Sequence, residues 1–584
     1  MAGGYRKPKR KAGLGYLIIL LIILIVFAAI GVFISRRFAP SKVYADLNAY
    51  YNMTAYGSDR EAADANELAI IIDNKILDID DTPAFRAVRS EGGVYIAMTL
   101  VQTYVDNRFY FDELERKVIV TNAVESVIAD VDSTVYTKGG VQEDAGYIIA
   151  TSIDGLIYLN TDFVQKFSSA QFKVQTNPDR LYVRNEWGTV KCSSTTGEVR
   201  MRKSANKKSD IVAVIPSGTE LQIINENEEG WYKAADENGN IGYVEDKFIT
   251  APAEVVRNSD FTEPEYTHIT LDGSVNMTWH GIYYFESNMY IDEYTADMKG
   301  VNVLAPTWFL FGDMAGNLIS YVSSDYINYA HEHGWQVWAV LEDLDGLSSA
   351  DVIPYSSSRA NAISQMIEQC TTYGIDGINV DLEKVTQDIG DDFIQFIREL
   401  SAACRNNGLI LSVCDYAPYS YNSFRRMDEQ SRIADYVCVM AYDDYVGTNT
   451  PGPNAGLPFV EEVLTLCQDT VVDMNRLIVG IPLYSRIWYV NKEDNSVSAD
   501  TIEMGDIEDL NWQYNLDLKW QEDVGYRYAA FETYDNSTGM LWYEDAKSIE
   551  AKLKLIKPFG VAGVATWRLG QETSDVWEKI SNYY

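Results

Sequence analysis

An α/β protein is predicted, with a closed (β/α)8 (TIM) barrel in its C-terminal part, residues 270–584. Eight short apolar runs alternate there with helical stretches, and parallel strands joined by helices close into a barrel at eight strands. Several runs end in a polar or aromatic residue. The whole chain has 584 residues, too many for one compact core, so further domains are expected before the barrel.

The composition is that of a globular protein with an acidic exterior. Hydrophobic residues make up 47% and charged residues 23% of the chain, and the formal net charge is −37. Eight Lys or Arg and no Asp or Glu lie within residues 1–42, so the remainder is still more acidic. Such a surface repels nucleic acid, and a nucleic-acid partner is therefore not expected.

The N-terminus predicts a membrane helix. Residues 1–13 form a basic tail, and residues 14–35 are long and apolar enough to span a bilayer. The bases before the helix favour a cytoplasmic N-terminus, a single-pass anchor and an extracytoplasmic remainder. A cleaved signal peptide is the alternative, because Val43-Tyr44-Ala45 could serve as a cleavage site.

Residues 43–187 contain a duplicated pattern. The segment from Val94 to Tyr104 reappears 63 residues later, from Ile157 to Phe167, and alternating apolar residues follow each copy. The pattern predicts a short helix and then a hairpin in each copy. This α+β region resembles the repeated domain near the N-terminus of some copper amine oxidases, without a visible copper-ligand set, and a stalk or a wall contact is its expected role.

Residues 191–252 predict a small β-barrel of short strands joined by turns. The segment resembles a bacterial Src-homology-3-type domain through Arg200-Met201-Arg202 and Gly230-Trp231-Tyr232-Lys233. That resemblance implies a domain appended to cell-wall enzymes, with peptidoglycan as the expected ligand and an inert spacer as the alternative.

The eight apolar runs of the barrel place their unusual residues at one end. The runs cover residues 275–279, 301–308, 335–341, 375–383, 409–415, 435–442, 477–484 and 561–567. Functional side chains of a (β/α)8 barrel lie at the carboxyl ends of its strands. The polar or aromatic residues at run ends are Trp308, Glu383, Tyr442, Tyr484 and Trp567.

The fourth run carries the most informative motif, residues 376–383. Side chains alternate along a strand, so Asn379, Asp381 and Glu383 are expected to face the barrel interior. Burying two carboxyl groups there costs several kcal/mol unless they pair or share a proton. A buried network that only fixes packing is one interpretation; an acid–base pair with a raised pKa at Glu383 is the other.

This segment resembles the Asp-Gly-x-Asp-x-Asp-x-Glu signature of glycoside hydrolase family 18, which includes chitinases and spore or wall N-acetylglucosaminidases. Further segments are similar to the family in the same order. They are Met440-Ala441-Tyr442-Asp443, Gly480-Ile481-Pro482-Leu483-Tyr484, Trp542-Tyr543-Glu544-Asp545 and Trp567. The resemblance covers about residues 270–584 and implies hydrolysis of β-1,4 bonds in a glycan that contains N-acetylglucosamine.

The resemblance also implies roles for the site residues. Glu383 would protonate the leaving oxygen and then activate water, while the substrate's own acetamido oxygen attacks the anomeric carbon, with retention of configuration. Asp381 would orient the acetamido N–H, and Tyr442 would donate a hydrogen bond to the acetamido oxygen. Substrate contacts are expected from Asn379, Asp443, Trp567, Trp308 and Tyr484, and neither a metal nor an organic cofactor is expected.

Asn379 departs from the family pattern, because the chitinases usually carry Asp at that position. An amide could donate a hydrogen bond to Asp381 and favour its ionised form. The departure moves the expected substrate from crystalline chitin towards peptidoglycan or spore-cortex fragments. Chitin oligomers and N-glycans remain alternatives, as does a protein that binds sugar without cleaving it, although members of that kind typically lack the terminal Glu.

The six cysteines and four histidines show no metal-site spacing. Five of the cysteines lie in the C-terminal half, within apolar or helical patterns, and buried free thiols are the expected state.

Overall fold

The computed structural model describes residues 1, 3, 13–51, 66–77, 87–90, 92–225, 229–446, 450–471 and 473–584. These residues form two compact units. The first comprises Met1–Asp106 and Ser152–Thr262, and the second comprises Asn107–Thr151 and Glu263–Tyr584. Most of the predicted basic tail lies outside the described residues.

The chain begins with a long apolar helix, α1 (Gly13–Phe38). Its run of Leu, Ile and Val has no acidic residue, and Arg36 and Arg37 occupy its last turn. Residues 15–38 are long and apolar enough to cross a membrane, and none of the apolar window is buried. The predicted anchor, residues 14–35, lies within this helix, although a signal sequence has the same properties.

A mixed sheet in the first unit contains most of the predicted duplication. Its first elements are α2 (Leu47–Tyr50), β1 (Glu67–Ile72), β2 (Lys75–Ile76), β3 (Ala87–Ser90), β4 (Gly93–Ala97) and α3 (Met98–Leu100). A separate five-stranded meander follows in the second unit: β5 (Phe109–Asp112), β6 (Lys117–Thr121), β7 (Ser126–Asp130), β8 (Val135–Lys138) and β9 (Val141–Asp144). The mixed sheet is then completed by β10 (Ala150–Ile153), β11 (Leu156–Asn160), α4 (Thr161–Phe167), β12 (Gln171–Gln175) and β13 (Arg180–Arg184), in the order β10-β11-β4-β3-β1-β13-β12.

Each copy of the duplication consists of a strand, a helical segment and a hairpin, and the two leading strands, β4 and β11, pair antiparallel. The hairpins differ in their surroundings. The second, β12–β13, joins β1 in the mixed sheet, whereas the first, β5–β6, continues into the meander of the second unit. The interpretation of residues 43–187 as one stalk domain is therefore corrected, because residues 107–151 pack with the barrel.

The first unit ends in a small seven-stranded sheet where the small β-barrel is predicted. Its strands are β14 (Gly188–Ser194), β15 (Val199–Arg202), β16 (Ile211–Ile215), β17 (Glu220–Ile223), β18 (Trp231–Asp236), β19 (Ile241–Glu245) and β20 (Ala253–Arg257). They follow the order β16-β15-β19-β18-β17-β14-β20. Met201, Leu221 and Val244 are fully buried between them.

The second unit begins its barrel with β21 (Val275–His280). The following elements are α5 (Ile291–Tyr294), β22 (Val303–Phe311), β23 (Leu318–Ser320), α6 (Ser324–Glu332), β24 (Gln336–Glu342), α7 (Ser356–Tyr373), β25 (Gly377–Asp381), α8 (Gly390–Asn407), β26 (Ile410–Asp415), α9 (Met427–Ile433), β27 (Tyr436–Met440), α10 (Leu457–Thr470) and β28 (Leu477–Pro482). The barrel closes through β34 (Gly563–Trp567), which pairs in parallel with both β21 and β28. The eight predicted parallel strands are thus confirmed.

A second antiparallel sheet interrupts the barrel between its seventh and eighth strands. It contains β29 (Tyr484–Asn491), β30 (Val497–Glu503), α11 (Ile507–Tyr514), β31 (Lys519–Gln521), β32 (Tyr526–Glu532) and β33 (Ser537–Tyr543). The sheet follows the order β30-β29-β33-β32-β31. Helices α12 (Ala546–Ile556) and α13 (Asp575–Ser581) then flank β34.

Two apolar layers hold the barrel together. The interior layer includes Met277, Trp279, Val340 and Cys438. The outer layer, between strands and helices, includes residues such as Ile378, Val380 and Leu382 of the fourth barrel strand. Alternation along β25 is therefore as predicted, with the apolar side chains directed towards the helices.

The meander of residues 107–151 is bonded to the helices that flank β25. Asp112 accepts the backbone N–H of Ser356 at the start of α7 (2.7 Å), and Gln395 of α8 donates to Thr121 (2.9 Å). Tyr110 donates to Asp392 at the start of α8. These contacts connect the meander to both neighbours of the strand that carries the predicted catalytic carboxyl groups.

Candidate active site

Asp381 and Glu383 lie together at the carboxyl end of β25. Asp381 is 6% exposed, and its Oδ1 is buried without a hydrogen-bond partner. Burial and the neighbouring charge of Glu383 raise the pKa of Asp381 well above its usual range, against the opposing effect of Arg425. Burial likewise raises the pKa of Glu383, although the hydroxyl of Tyr416 opposes the rise. The pair therefore retains a proton more readily than two solvated carboxyl groups would.

Glu383 is held from two sides by residues on neighbouring strand ends. The hydroxyl of Tyr416, which follows β26, donates to Glu383 Oε2. The backbone N–H of Glu383 donates to Oδ1 of Asp343, which follows β24, at 2.8 Å. Asp343 also accepts the N–H groups of Lys384 and Ser349. Backbone and carboxyl group are thus both positioned by hydrogen bonds.

Arg425 is the buried cation behind this pair. Its guanidinium contacts Asp415 at the end of β26 and donates to the backbone carbonyl of Leu382 (3.1 Å). It also lies over the ring of Tyr416, 5.8 Å from the centroid. Arg425 thereby joins the strand of Glu383 to the loop of Tyr416.

Asn379 is fully buried, and its amide is engaged away from Asp381. Its Oδ1 accepts from Trp279 Nε1 (3.0 Å) and from Cys414 Sγ (3.3 Å), and its Nδ2 donates to Ser412. The expected hydrogen bond to Asp381 is not formed: the Nδ2 group donates to Ser412, and Oδ1 of Asp381 has no hydrogen-bond partner. Asn379 is 0% exposed, so the structure gives no support to the predicted contact between Asn379 and substrate.

Restoring the family carboxyl at this position should destabilise the protein in a pH-dependent way. In Asn379→Asp, burial raises the pKa of the introduced group above its unfolded value, so stability falls as pH rises through the unfolded pKa. A rise of about two pKa units corresponds to about 3 kcal/mol at pH 7. Thermal unfolding at pH 4 and pH 7 should show a deficit that grows with pH. The exposed Asn495→Asp control should show none, and an equal deficit at both pH values would contradict this expectation.

Tyr442 follows the sixth barrel strand and lies near both carboxyl groups. Burial, and then the charge of Asp381, raises the pKa of Tyr442 well above its usual range. Its hydroxyl therefore keeps its proton and is available as a hydrogen-bond donor beside Asp381. A hydrogen bond from Tyr442 to the substrate stays a prediction.

Asp443 and Tyr484 are bonded to each other. Asp443 has a left-handed backbone (φ 62°), and its Oδ1 accepts from the hydroxyl of Tyr484 and from Arg486, both at 2.7 Å. Asn454 accepts the N–H of Asp443. Tyr484 begins β29 rather than ending a barrel strand. A substrate contact for either residue stays a prediction.

Two of the predicted aromatic residues have different positions. Trp567 ends β34 and packs edge-on against Trp279, with 5.8 Å between ring centroids, at the interior layer of the barrel. Trp308 is fully buried in the outer layer, where its Nε1 donates to Asn288 (2.9 Å) and its ring packs on Tyr326. The prediction that Trp308 contacts substrate is wrong, because its side chain faces the helices.

Sequence reasoning missed Tyr416, Arg425, Asp343 and Trp279. Asp343 follows directly after β24, and Tyr416 follows directly after β26. The search for polar or aromatic residues at strand ends could therefore have found both. Arg425 lies ten residues beyond β26 in a short helical turn, where no periodic pattern indicates it. All six cysteines are buried and free, as expected.

Comparison with known proteins gives two family matches. Residues 345–572 match glycosyl hydrolases family 18, and residues 197–250 match the bacterial SH3 domain. The likeness of the duplicated region to copper amine oxidases stays a prediction.

Individual relatives are similar over part of the chain. The "uncharacterized glycosylase YvbX" of Bacillus subtilis is 24% identical over 48% of this chain and 84% of its own. The "cortical fragment-lytic enzyme" of the same organism is 23% identical over 38% of this chain, which spans about half (53%) of that protein. The solved "chitinase from Chromobacterium violaceum" is 22% identical, with 53% of this chain and 98% of that chain covered and a TM-score of 0.47.

The matched ranges include β25 with the two carboxyl groups at its carboxyl end, and the strands β15 to β19 of the small seven-stranded sheet. The chain therefore contains a glycosyl hydrolase family 18 domain and a bacterial SH3 domain, and the protein is a glycosidase.

Proposed function

We propose that the protein cleaves β-1,4 bonds in glycans that contain N-acetylglucosamine, with cell-wall peptidoglycan or spore-cortex fragments as its natural substrate. The observation that carries this proposal is the pair of carboxyl groups, buried Asp381 and half-buried Glu383, with raised pKa values beside the protonated hydroxyl of Tyr442. A general acid works best with a pKa near the operating pH, and burial shifts the pKa of Glu383 upwards, in that direction.

The proposed reaction uses the substrate's acetamido group as nucleophile. Glu383 protonates the leaving glycosidic oxygen while the acetamido oxygen attacks the anomeric carbon, and Glu383 then removes a proton from the water that opens the resulting ring. Asp381 accepts the acetamido N–H; its buried Oδ1 without a partner supports this role. Tyr442 donates to the acetamido oxygen, and Trp567 lies beneath the reacting sugar. Configuration is retained.

Tyr416 should set the pH at which Glu383 loses its proton. Its hydroxyl donates to Oε2 and thereby favours the ionised carboxylate, so Tyr416→Phe should raise the pKa of Glu383 further. The basic limb of the kcat/KM profile, which needs the protonated acid, should move up by about one pH unit, since a hydrogen bond to a charged group contributes about 1.5 kcal/mol.

The matched control is Tyr421→Phe, which removes the hydroxyl group of an exposed tyrosine (74% exposed) from the same loop. It should leave the profile unchanged. A basic limb that stays in place in Tyr416→Phe, or that moves equally in the control, would contradict the assignment.

The choice of wall or cortex glycan rests on the relatives. Proteins named cortical fragment-lytic enzymes and a "putative sporulation-specific glycosylase" are similar over 37–38% of this chain. Plant chitinases are similar over a shorter stretch, about 17% of this chain. Chitin oligomers are therefore the alternative substrate within the same chemistry.

We further propose that α1 anchors the protein in the cell membrane, with the N-terminus cytoplasmic and the catalytic unit outside. The alternative cleavage site, residues 43–45, is paired with β16: Ala45 N–H donates to Ile211 O (2.8 Å) and Ile211 N–H donates to Val43 O (2.9 Å). Cleavage after Ala45 would remove this pairing from the folded unit. Tethering at the membrane would raise the enzyme's concentration at the wall.

The test incubates the protein with purified peptidoglycan and with chitin oligomers, followed by borohydride reduction and mass spectrometry of the products. A reduced N-acetylglucosamine end supports the proposal, and the better substrate decides between wall and chitin. Binding to peptidoglycan without any new reducing end would instead favour a sugar-binding protein.

A further inference from the structure

We infer that the bacterial SH3 domain is a membrane-proximal module that contacts the anionic phospholipid head groups of the bilayer crossed by α1. The inference rests on the proposed membrane anchoring. It follows from how the residues after α1 join the domain and from the basic side chains that they bring together.

The segment that connects α1 to the domain is only a few residues long. Helix α1 ends at Phe38, and Ser41 N–H already donates to Lys207 O (2.8 Å). Both terminal nitrogens of Arg202 donate to Ser41 O (3.3 Å), and Tyr44 then forms a parallel β-bridge with Ile211 of β16. At about 3.5 Å per extended residue, three residues reach only about 10 Å.

The attachment continues into the core of the first unit. Tyr51 is 1% exposed and packs with Val212 and Ile241, and the hydroxyl of Tyr50 donates to Ile241 O (2.8 Å). The chain from Ser41 to Tyr51 is therefore part of the folded domain. It holds the loop between β15 and β16 near the end of α1, where Lys208 Nζ donates to Arg36 O (3.1 Å).

Basic side chains collect at this junction in a protein whose net charge is −37. The junction patch consists of Arg36, Arg37, Lys42, Lys203, Lys207 and Lys208, all exposed. Residues 36–45 and 203–209 contain no acidic residue; along the chain Asp46 and Asp210 follow these segments, and Glu245 lies 3.8 Å from Lys207. Positive charge is thus retained beside the helix end.

The position and the chemistry of the patch both fit a lipid surface. A reach of at most about 10 Å keeps the patch within roughly one Debye length (about 8 Å at physiological ionic strength) of the head groups, so anionic head groups would attract it with a strength that depends on salt. Phe38, Val43 and Tyr44 are 70%, 62% and 63% exposed at the same junction. Such side chains are accommodated at the membrane interface.

The test reconstitutes the full chain in liposomes of phosphatidylcholine alone or with 30% phosphatidylglycerol. An amine-reactive acetylating reagent is applied, and labelling of Lys42, Lys203, Lys207 and Lys208 is measured by mass spectrometry relative to Lys519 and Lys554. We expect labelling of the patch to be at least threefold slower in the anionic liposomes and the difference to disappear in 1 M salt, where screening is nearly complete.

A triple variant provides an independent measurement. Lys203→Gln, Lys207→Gln and Lys208→Gln together should abolish the effect of anionic lipid on Lys42, whereas Lys299→Gln, Lys492→Gln and Lys579→Gln together, which keep both reference lysines, should leave it intact. Equal labelling of the patch in both liposomes at low salt would overturn the inference. The recombinant chain used in the liposomes keeps α1, so the labelling result does not depend on whether cells cleave the helix. The mass of the mature protein isolated from cells tests the cleavage, and with it the proposed anchoring, separately.

Discussion

Glu383→Gln should reduce hydrolysis by about 10³-fold or more while leaving glycan binding largely intact. The variant removes the proton donor of the first step and the base of the second, and general acid–base catalysis commonly contributes 10²- to 10⁴-fold. The amide is nearly isosteric, so the loop and Arg425 contacts should persist. Initial rates and binding by isothermal titration calorimetry on the same glycan measure the two effects.

A matched control is Glu461→Gln on the exposed side of α10. It should retain full turnover, which separates loss of the catalytic carboxyl from a general effect of removing a charge. Full turnover in Glu383→Gln would show that another group donates the proton.

Lys552→Met should destabilise the protein by about 3–5 kcal/mol, because it leaves a buried carboxylate without its cation. Lys552 and Glu544 are both fully buried, with Nζ–O distances of 2.8 and 3.0 Å. Glu544 also accepts from the hydroxyls of Tyr526 and Ser548. Urea denaturation followed by circular dichroism measures the loss.

Two further variants test the cause of that loss. Lys554→Met, on the same helix but with a 61% exposed side chain, should change stability by less than about 0.5 kcal/mol. Lys552→Met combined with Glu544→Gln should recover much of the stability, since the uncompensated charge is removed. If the double variant were as unstable as the single one, packing rather than charge would explain the loss.

The barrel could be predicted because each of its strands is marked by a pattern of neighbouring residues. Each strand is a short apolar run, and the interior position of Asp381 follows from alternation along β25. The same reasoning was not applied to Trp308: Val303 and Ala305 face the barrel interior and Leu304 faces the helices, so alternation along β22 already places Trp308 on the helix side. Its position at the end of an apolar run suggested a site residue, but the direction of its side chain excludes it from the barrel interior.

Other parts of the structure depend on contacts between distant residues. Asp112 and Ser356 are 244 positions apart, and Thr121 and Gln395 are 274 apart, so the sequence of residues 107–151 does not indicate that they pack on the barrel. The hydrogen bond of Asn379 to Ser412, which redirects its amide from Asp381, likewise links different strands. The resemblance located the carboxyl groups, but not the residues that hold them.

The most direct test of the proposed chemistry compares fully N-acetylated oligosaccharides with their de-N-acetylated counterparts, on the glycan that the product assay identifies. If the acetamido oxygen is the nucleophile and Asp381 accepts its N–H, cleavage of the de-N-acetylated substrate should be slower by about 10³-fold or more, as expected when an oriented intramolecular nucleophile is lost. Comparable rates on the two substrates would contradict substrate-assisted catalysis at this site.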